Sequence, residues 1–249
     1  VSGFTLLSRI TGFVRDVILA SLLGSGMMAD AYFIAQRLPN HFRSIFGEGA
    51  FNSAFVPAYA RELEEGGPLA ARRLANTILT SLTLLVAVIS LLAMIKMDVV
   101  IDLLAPGFSD EPEKYALTIT LTRITFPYLL CMALVTLISG ILNAHHHFAS
   151  AAAAPILLNL SIIIALTFAV LFPSTAHAAA WGIAMSGLLQ LALVVGDARR
   201  AGCLPRFTMP QSSPALFRFL RALGPAAAGL FTDEKRFPAA NDVDEAAVR

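Results

Sequence analysis

FTLLSRITGFVRDVILASLL, spanning Phe4–Leu23, is long and apolar enough to cross a bilayer, yet it carries Arg9, Arg15 and Asp16. The stretch MMADAYFIAQRLPNHFRSIFGEGAFNSAFVPAY, Met27–Tyr59, adds Asp30, Arg37, Arg43 and Glu48. An ionised side chain near the middle of a bilayer costs roughly 2.5–3.5 kcal/mol on insertion scales. A chain keeps several such groups only where they face a polar cavity or one another. These two stretches therefore describe a membrane protein whose N-terminal helices line a charged, water-accessible interior.

The composition agrees. Hydrophobic residues make up 57% of the chain and charged residues 14%, with a mean hydropathy of +0.71. Soluble domains carry about 25% charged residues. The net charge of +1 says nothing about nucleic acid, but there is no basic patch interleaved with aromatics, and no nucleic-acid partner is expected. Cys131 lies in an apolar run and Cys203 in a basic loop, without disulfide or metal-ligand spacing. No Ser/His/Asp grouping, phosphate-binding glycine loop, HExxH or paired catalytic carboxylates occur. The expectation is a protein that is not an enzyme and uses no cofactor and no metal.

Apolar runs of about 20 residues predict an all-α, polytopic membrane protein with six transmembrane helices plus the start of a seventh. The six are Phe4–Leu23, Ala29–Tyr59 (bent at Pro39), Asn76–Ile95, Tyr115–Asn143 (kinked at Pro127), Ala153–Phe172 and Ala178–Gly196. Pro155 is expected in the first turn of the fifth. Val99–Leu104 reads as amphipathic and Ala105–Phe108 as a turn. A seventh helix begins near Leu220 and stops at Gly229; residues 230–249 are polar, as after a truncation or frameshift. Arginines crowd the loops after spans two and six, against Lys96 and Lys114 in those after spans three and five. The positive-inside rule then places the N-terminus and the His145–His147 loop in the cytoplasm.

At 100° per residue, positions seven or eleven apart return to one helix face. Arg9 and Asp16 share a stripe, as do Asp30, Arg37 and Glu48, whereas Arg15 and Arg43 lie off those stripes. Charges near helix ends can instead pair internally or snorkel to headgroups. Arginine offers a donor fork matched to phosphate, so several around one cavity imply an anionic, phosphate-bearing ligand. Between helices in a bilayer, that ligand can also carry a lipid tail. Arg123, among Thr118, Thr120, Thr122 and Thr125, is a further candidate. His145–His147 match no chelating spacing and read as a solvated loop. Asn143 and Asn159 read as helix–helix hydrogen-bonding groups, and Ser139, Gly140, Gly182, Ser186 and Gly187 as close-packing positions.

SRITGFVRD (Ser8–Asp16), ADAYF (Ala29–Phe33) and RLPNHFRSIFGEGAFNSAFVP (Arg37–Pro57) closely resemble the lipid II flippases of the MurJ/MviN type, in the multidrug/oligosaccharidyl-lipid/polysaccharide exporter superfamily. APGF (Ala105–Phe108), ITFPY (Ile124–Tyr128), APILLN (Ala154–Asn159) and LGPA (Leu223–Ala226) resemble it too, in its order. The resemblance implies a two-lobed inner-membrane transporter that flips an undecaprenyl-linked peptidoglycan precursor, lipid II, by alternating access without ATP hydrolysis of its own. It implies that Arg9, Arg15, Asp30 and Arg43 bind substrate. Arg37 falls at a usually basic position and Glu48 matches the family's acidic motif; with Asp16 and Arg123 they are supporting candidates. Residues 1–229 correspond to the N-terminal lobe, and the second lobe is missing from this chain. By itself the chain is expected to insert among membrane lipids without flipping lipid II. The rival readings are an exporter of another polyprenyl-linked saccharide or a drug, and a non-transporting fragment. Drug exporters of the superfamily rely on acidic cavity residues, so the arginines argue against that class.

Overall fold

In the computed structural model, residues 2–43 and 50–209 are described, together with Phe217 and Arg221. All regular structure among the described residues is helical, without strands. In chain order the α-helices are α1 (Ser2–Leu23), α2 (Met27–Arg43), α3 (Ala50–Glu65), α4 (Gly67–Ile95), α5 (Met97–Leu104), α6 (Pro112–Thr125), α7 (Tyr128–Ala144), α8 (Ala149–Thr167) and α9 (Thr175–Arg200).

Among the described residues, four segments are long and apolar enough to cross a membrane: α4, α6 with α7, α8 and α9. The expected count of six plus a seventh is therefore not matched by this measure. α1 has the length, at 22 residues, but contains Arg9, Arg15 and Asp16. The expected span Ala29–Tyr59 is described as α2 and α3, of 17 and 16 residues, each short of a bilayer's width. Residues 44–49 between them, the expected seventh helix apart from Arg221, and the tail lie outside the described residues.

The other boundaries differ for local reasons. α4 starts at Gly67, with Pro68 in its first turn, so Arg72 and Arg73 sit on a helix rather than in a loop. An apolar-run reading sees only the part of a helix that needs hydrocarbon around it. At Pro127 the expected kink is a break of two residues. Phe126 N–H still reaches the Thr122 carbonyl at 2.9 Å, but Leu129 N–H reaches back only to Phe126, at 3.0 Å. Pro127 has no N–H to continue the ladder. α8 starts at Ala149, which makes Pro155 an interior residue rather than a first-turn one. The missing N–H deprives the Ala151 carbonyl of its helical donor.

Two apolar clusters hold the bundle. One joins α3, α4, α7 and α9 through Phe55, Ile78, Leu137 and Ile141. The other joins α1, α2, α6, α8 and α9 through Leu19, Tyr32, Leu121, Ile162 and Ile183. α5 packs against α6, burying Met97 and Ile101 against Phe126 and Leu129 while Val99 and Leu103 face out. Close approach depends on the small residues. A Cβ on Gly182 of α9 would stand 2.8 Å from the Ile162 Cα of α8, and one on Gly187 would stand 2.9 Å from the Tyr128 ring of α7. Leu84, Leu85, Val88, Leu91 and Leu92 on α4, and Ile10, Phe13, Val14 and Val17 on α1, are exposed. Such continuous apolar exposure suits a lipid surroundings.

Candidate functional site

α1 packs against α8, and α2 against α6, with α9 and α7 behind them. Asn159, 5% exposed on α8, anchors α1. Its Nδ2 donates to the Ser8 carbonyl at 3.0 Å and to Thr11 Oγ1 at 3.1 Å. Its Oδ1 accepts from Arg15 Nη1 at 2.8 Å. The same guanidinium donates through Nε and Nη2 to Asp16 Oδ1, at 2.9 and 2.7 Å. Asp16 thus pairs with its neighbour rather than with Arg9, and Arg9 is exposed. Adjacent residues do not normally face each other on a helix; the length of the arginine makes this pair feasible. The arrangement leaves Arg15 oriented from both sides, with the expected interhelical role of Asn159 met.

Asp30 opens α2 and pairs across to α6. Lys114 Nζ stands 2.9 Å from Asp30 Oδ2 and 3.4 Å from Glu111 Oε1, and 4.3 Å from the centre of the Phe108 ring. The partner of Asp30 here is thus a lysine from the segment read as an outer loop. A motif reading confined to α1 and α2 misses Lys114, because nothing in the local pattern joins positions so far apart. Arg37 is exposed on the same helix. The Arg43 side chain and all of Glu48, also expected in the cavity, lie outside the described residues. Arg123, also exposed, borders a shallow groove of about 440 Å³ beside Pro127, Trp181 and Met185, away from the α1–α8 contact.

Deeper between α3, α7, α8 and α9 lies a cavity of about 200 Å³ whose polar lining comes from Asn52, Thr136, Ser139, Asn143 and Gln190. Its α8 wall includes Pro155 and Leu158, the latter adjoining Asn159. Among the described residues, charged side chains do not line it. Gln190 and Thr136 went unremarked in the sequence; a lone amide inside the apolar run of α9 was the available signal.

The histidine turn is only partly solvated. Tyr59 Oη and His145 Nε2 are 3.0 Å apart, tying α3 to the end of α7, while His146 (φ 63°) and His147 are exposed. Burial, then the neighbouring His147 and His146, hold His145 below the ordinary histidine value. Grouped metal-ligating side chains are absent among the described residues.

A family model described as lipid II flippase MurJ matches residues 19–232. The chain is 42% identical over 232 residues to a protein of Rhizobium tropici named probable lipid II flippase MurJ, covering 91% of this chain and 44% of that protein. A protein of the same name from Rhizobium meliloti (strain 1021) is 41% identical, with coverages of 91% and 43%. The lipid II flippase MurJ of Burkholderia cenocepacia is 36% identical over 206 residues, or 82% and 40%. The chain spans less than half the length of these curated relatives.

Proposed function

The chain belongs to the MurJ family of lipid II flippases, and on that footing we propose that it forms the N-terminal lobe of a transporter moving lipid II from the inner to the outer leaflet. The lobe has six spans, namely α1, α2 with α3, α4, α6 with α7, α8 and α9, in the bacterial inner membrane with a cytoplasmic N-terminus. Arg9, Arg15 and Arg43 hold the pyrophosphate, which needs a fork of donors on each side of the anion. Asp16, Arg37, Glu48 and Arg123 support the charge pattern around them. Asp30 exchanges between Lys114 and a cavity arginine, biasing the inward–outward equilibrium by its different partners in the two states. A second lobe supplies the opposing wall against which this one rocks.

The observation that carries the reading is the fixed guanidinium of Arg15, held at 2.8 Å by Asn159 of the neighbouring helix α8. Membrane-buried arginines that are oriented by a neighbouring helix are costly unless they serve a site. The test uses a hybrid in which this chain replaces the matching part of the Burkholderia cenocepacia relative, expressed in flippase-depleted cells. Arg9→Ala, Arg15→Ala, Asp30→Ala and Arg43→Ala should each abolish rescue at unchanged membrane levels. Arg→Lys should rescue only partly where the fork is used, and His146→Ala should be silent. Normal rescue by three of the four charged variants would reject the assignment.

A further inference from the structure

The cavity between α3, α7, α8 and α9 is lined, among the described residues, by uncharged polar and apolar groups. Thr136 is 2% exposed and its Oγ1 has no hydrogen-bond partner. A buried hydroxyl left unmatched costs about 1–3 kcal/mol, so its retention beside open space calls for an occupant. Gln190, also 2% exposed, lines the same cavity, and the hydrogen bond its Nε2 donates to Ser186 Oγ is long, at 3.4 Å. Ser139 lies one turn from both Thr136 and Asn143 on α7, so the three form a polar stripe along one wall. On the facing wall, Pro155 frees the Ala151 carbonyl, and both residues line the cavity. Hydroxyls, amides and a bare carbonyl offer donors and acceptors without fixed charge among the described residues.

Position links this cavity to the phosphate site. Pro155 and Asn159 are one turn apart on α8, so the cavity begins about 5 Å along that helix from the anchor of Arg15. Its volume of about 200 Å³ corresponds to roughly six or seven waters at about 30 Å³ each, which is room for one ring bearing hydroxyl and amide groups. We propose that this cavity is a sugar subsite, taking the hydroxyl- and amide-bearing ring next to the pyrophosphate of the lipid-linked substrate. The inference rests on the phosphate-binding reading of Arg15 given above. A group carried on a ring exchanges its water contacts for Thr136, Gln190 and the Ala151 carbonyl, so the site discriminates the glycosylated lipid from the bare one.

The test measures binding of lipid II and of undecaprenyl pyrophosphate to this chain in nanodiscs by native mass spectrometry. The Thr136→Val, Gln190→Leu double variant should bind lipid II about tenfold more weakly, while undecaprenyl pyrophosphate stays within about twofold. Arg15→Ala should weaken both lipids. If the double variant does not purify as a single species, Thr136→Val alone is read the same way, with a loss of about threefold expected. Unchanged lipid II binding, or equal losses for both lipids, would overturn the sugar subsite. Unchanged binding of both lipids by Arg15→Ala would instead overturn the phosphate reading, as would failure of the unsubstituted chain to retain either lipid.

Discussion

Gly182→Ala is expected to destabilise the bundle more than any single methyl group elsewhere on α9. α8 and α9 form the most extensive helix pair among the described elements. The added Cβ would meet the Ile162 Cα at 2.8 Å and both the Ala165 Cβ and the Ser161 carbonyl oxygen at 3.2 Å. Carbon atoms settle at about 3.5–4.0 Å, so α8 must retreat by about 1 Å. Two of the three obstructing atoms are backbone, and Ile162 is fully buried, so rotation of a side chain gives no relief. Overpacking of this kind costs about 1–3 kcal/mol, against a gain of about 0.5–1 kcal/mol from removing a helical glycine. Gly196→Ala isolates the gain, because a Cβ there meets nothing within 4 Å. The two variants should therefore differ by about 1–3 kcal/mol, Gly182→Ala being the less stable. Trp181, the single tryptophan, adjoins the site and reports unfolding by fluorescence in mixed micelles of rising dodecyl sulfate. Gly182→Ala unfolding at the same detergent fraction as Gly196→Ala, or later, would refute the close-packing argument.

Asn159→Leu should loosen α1 by about 0.6–1.7 kcal/mol per lost interhelical bond and leave Arg15 tied only to Asp16; faster hydrogen exchange of the amides around Ser8–Arg15, with α9 unchanged, is the readout. His145 has its folded value depressed by burial, so the unfolded chain binds the proton more tightly; stability should be complete above the ordinary value of 6.5 and decline as pH falls below it. His145→Gln should flatten that decline in thermal unfolding followed between neutral and mildly acid pH, and an unchanged slope would count against burial of His145 as its origin. In a variant lacking Cys131 and Cys203, a cysteine at position 110 should react with an impermeant thiol reagent in intact cells and one at position 146 should not; the reverse pattern would invert the topology.

The all-helical class was legible in the sequence because hydrocarbon leaves a backbone few options, so long apolar runs with internal charges can only be helices around a polar cleft. Asn159 was legible as an interhelical bond, since an amide inside an apolar run must find a partner. Its particular partners were not, because Arg15 and Asn159 are far apart in sequence and only the packing of α1 on α8 brings them within 2.8 Å. The same holds for Asp30 and Lys114, and for Tyr59 and His145. Periodicity fixes which face of a helix a charge occupies, yet says nothing about which helix lies opposite. It also misjudged where helices start, since polar turns such as Arg72–Arg73 and prolines such as Pro155 are compatible with a helix whose ends leave the apolar layer. Tertiary structure alone decided the cavity, whose walls bring polar residues of α3, α7 and α9 together against α8. Local sequence encodes hydrophobicity and helix propensity; the pairing of charges and the shape of a void are set by long-range packing.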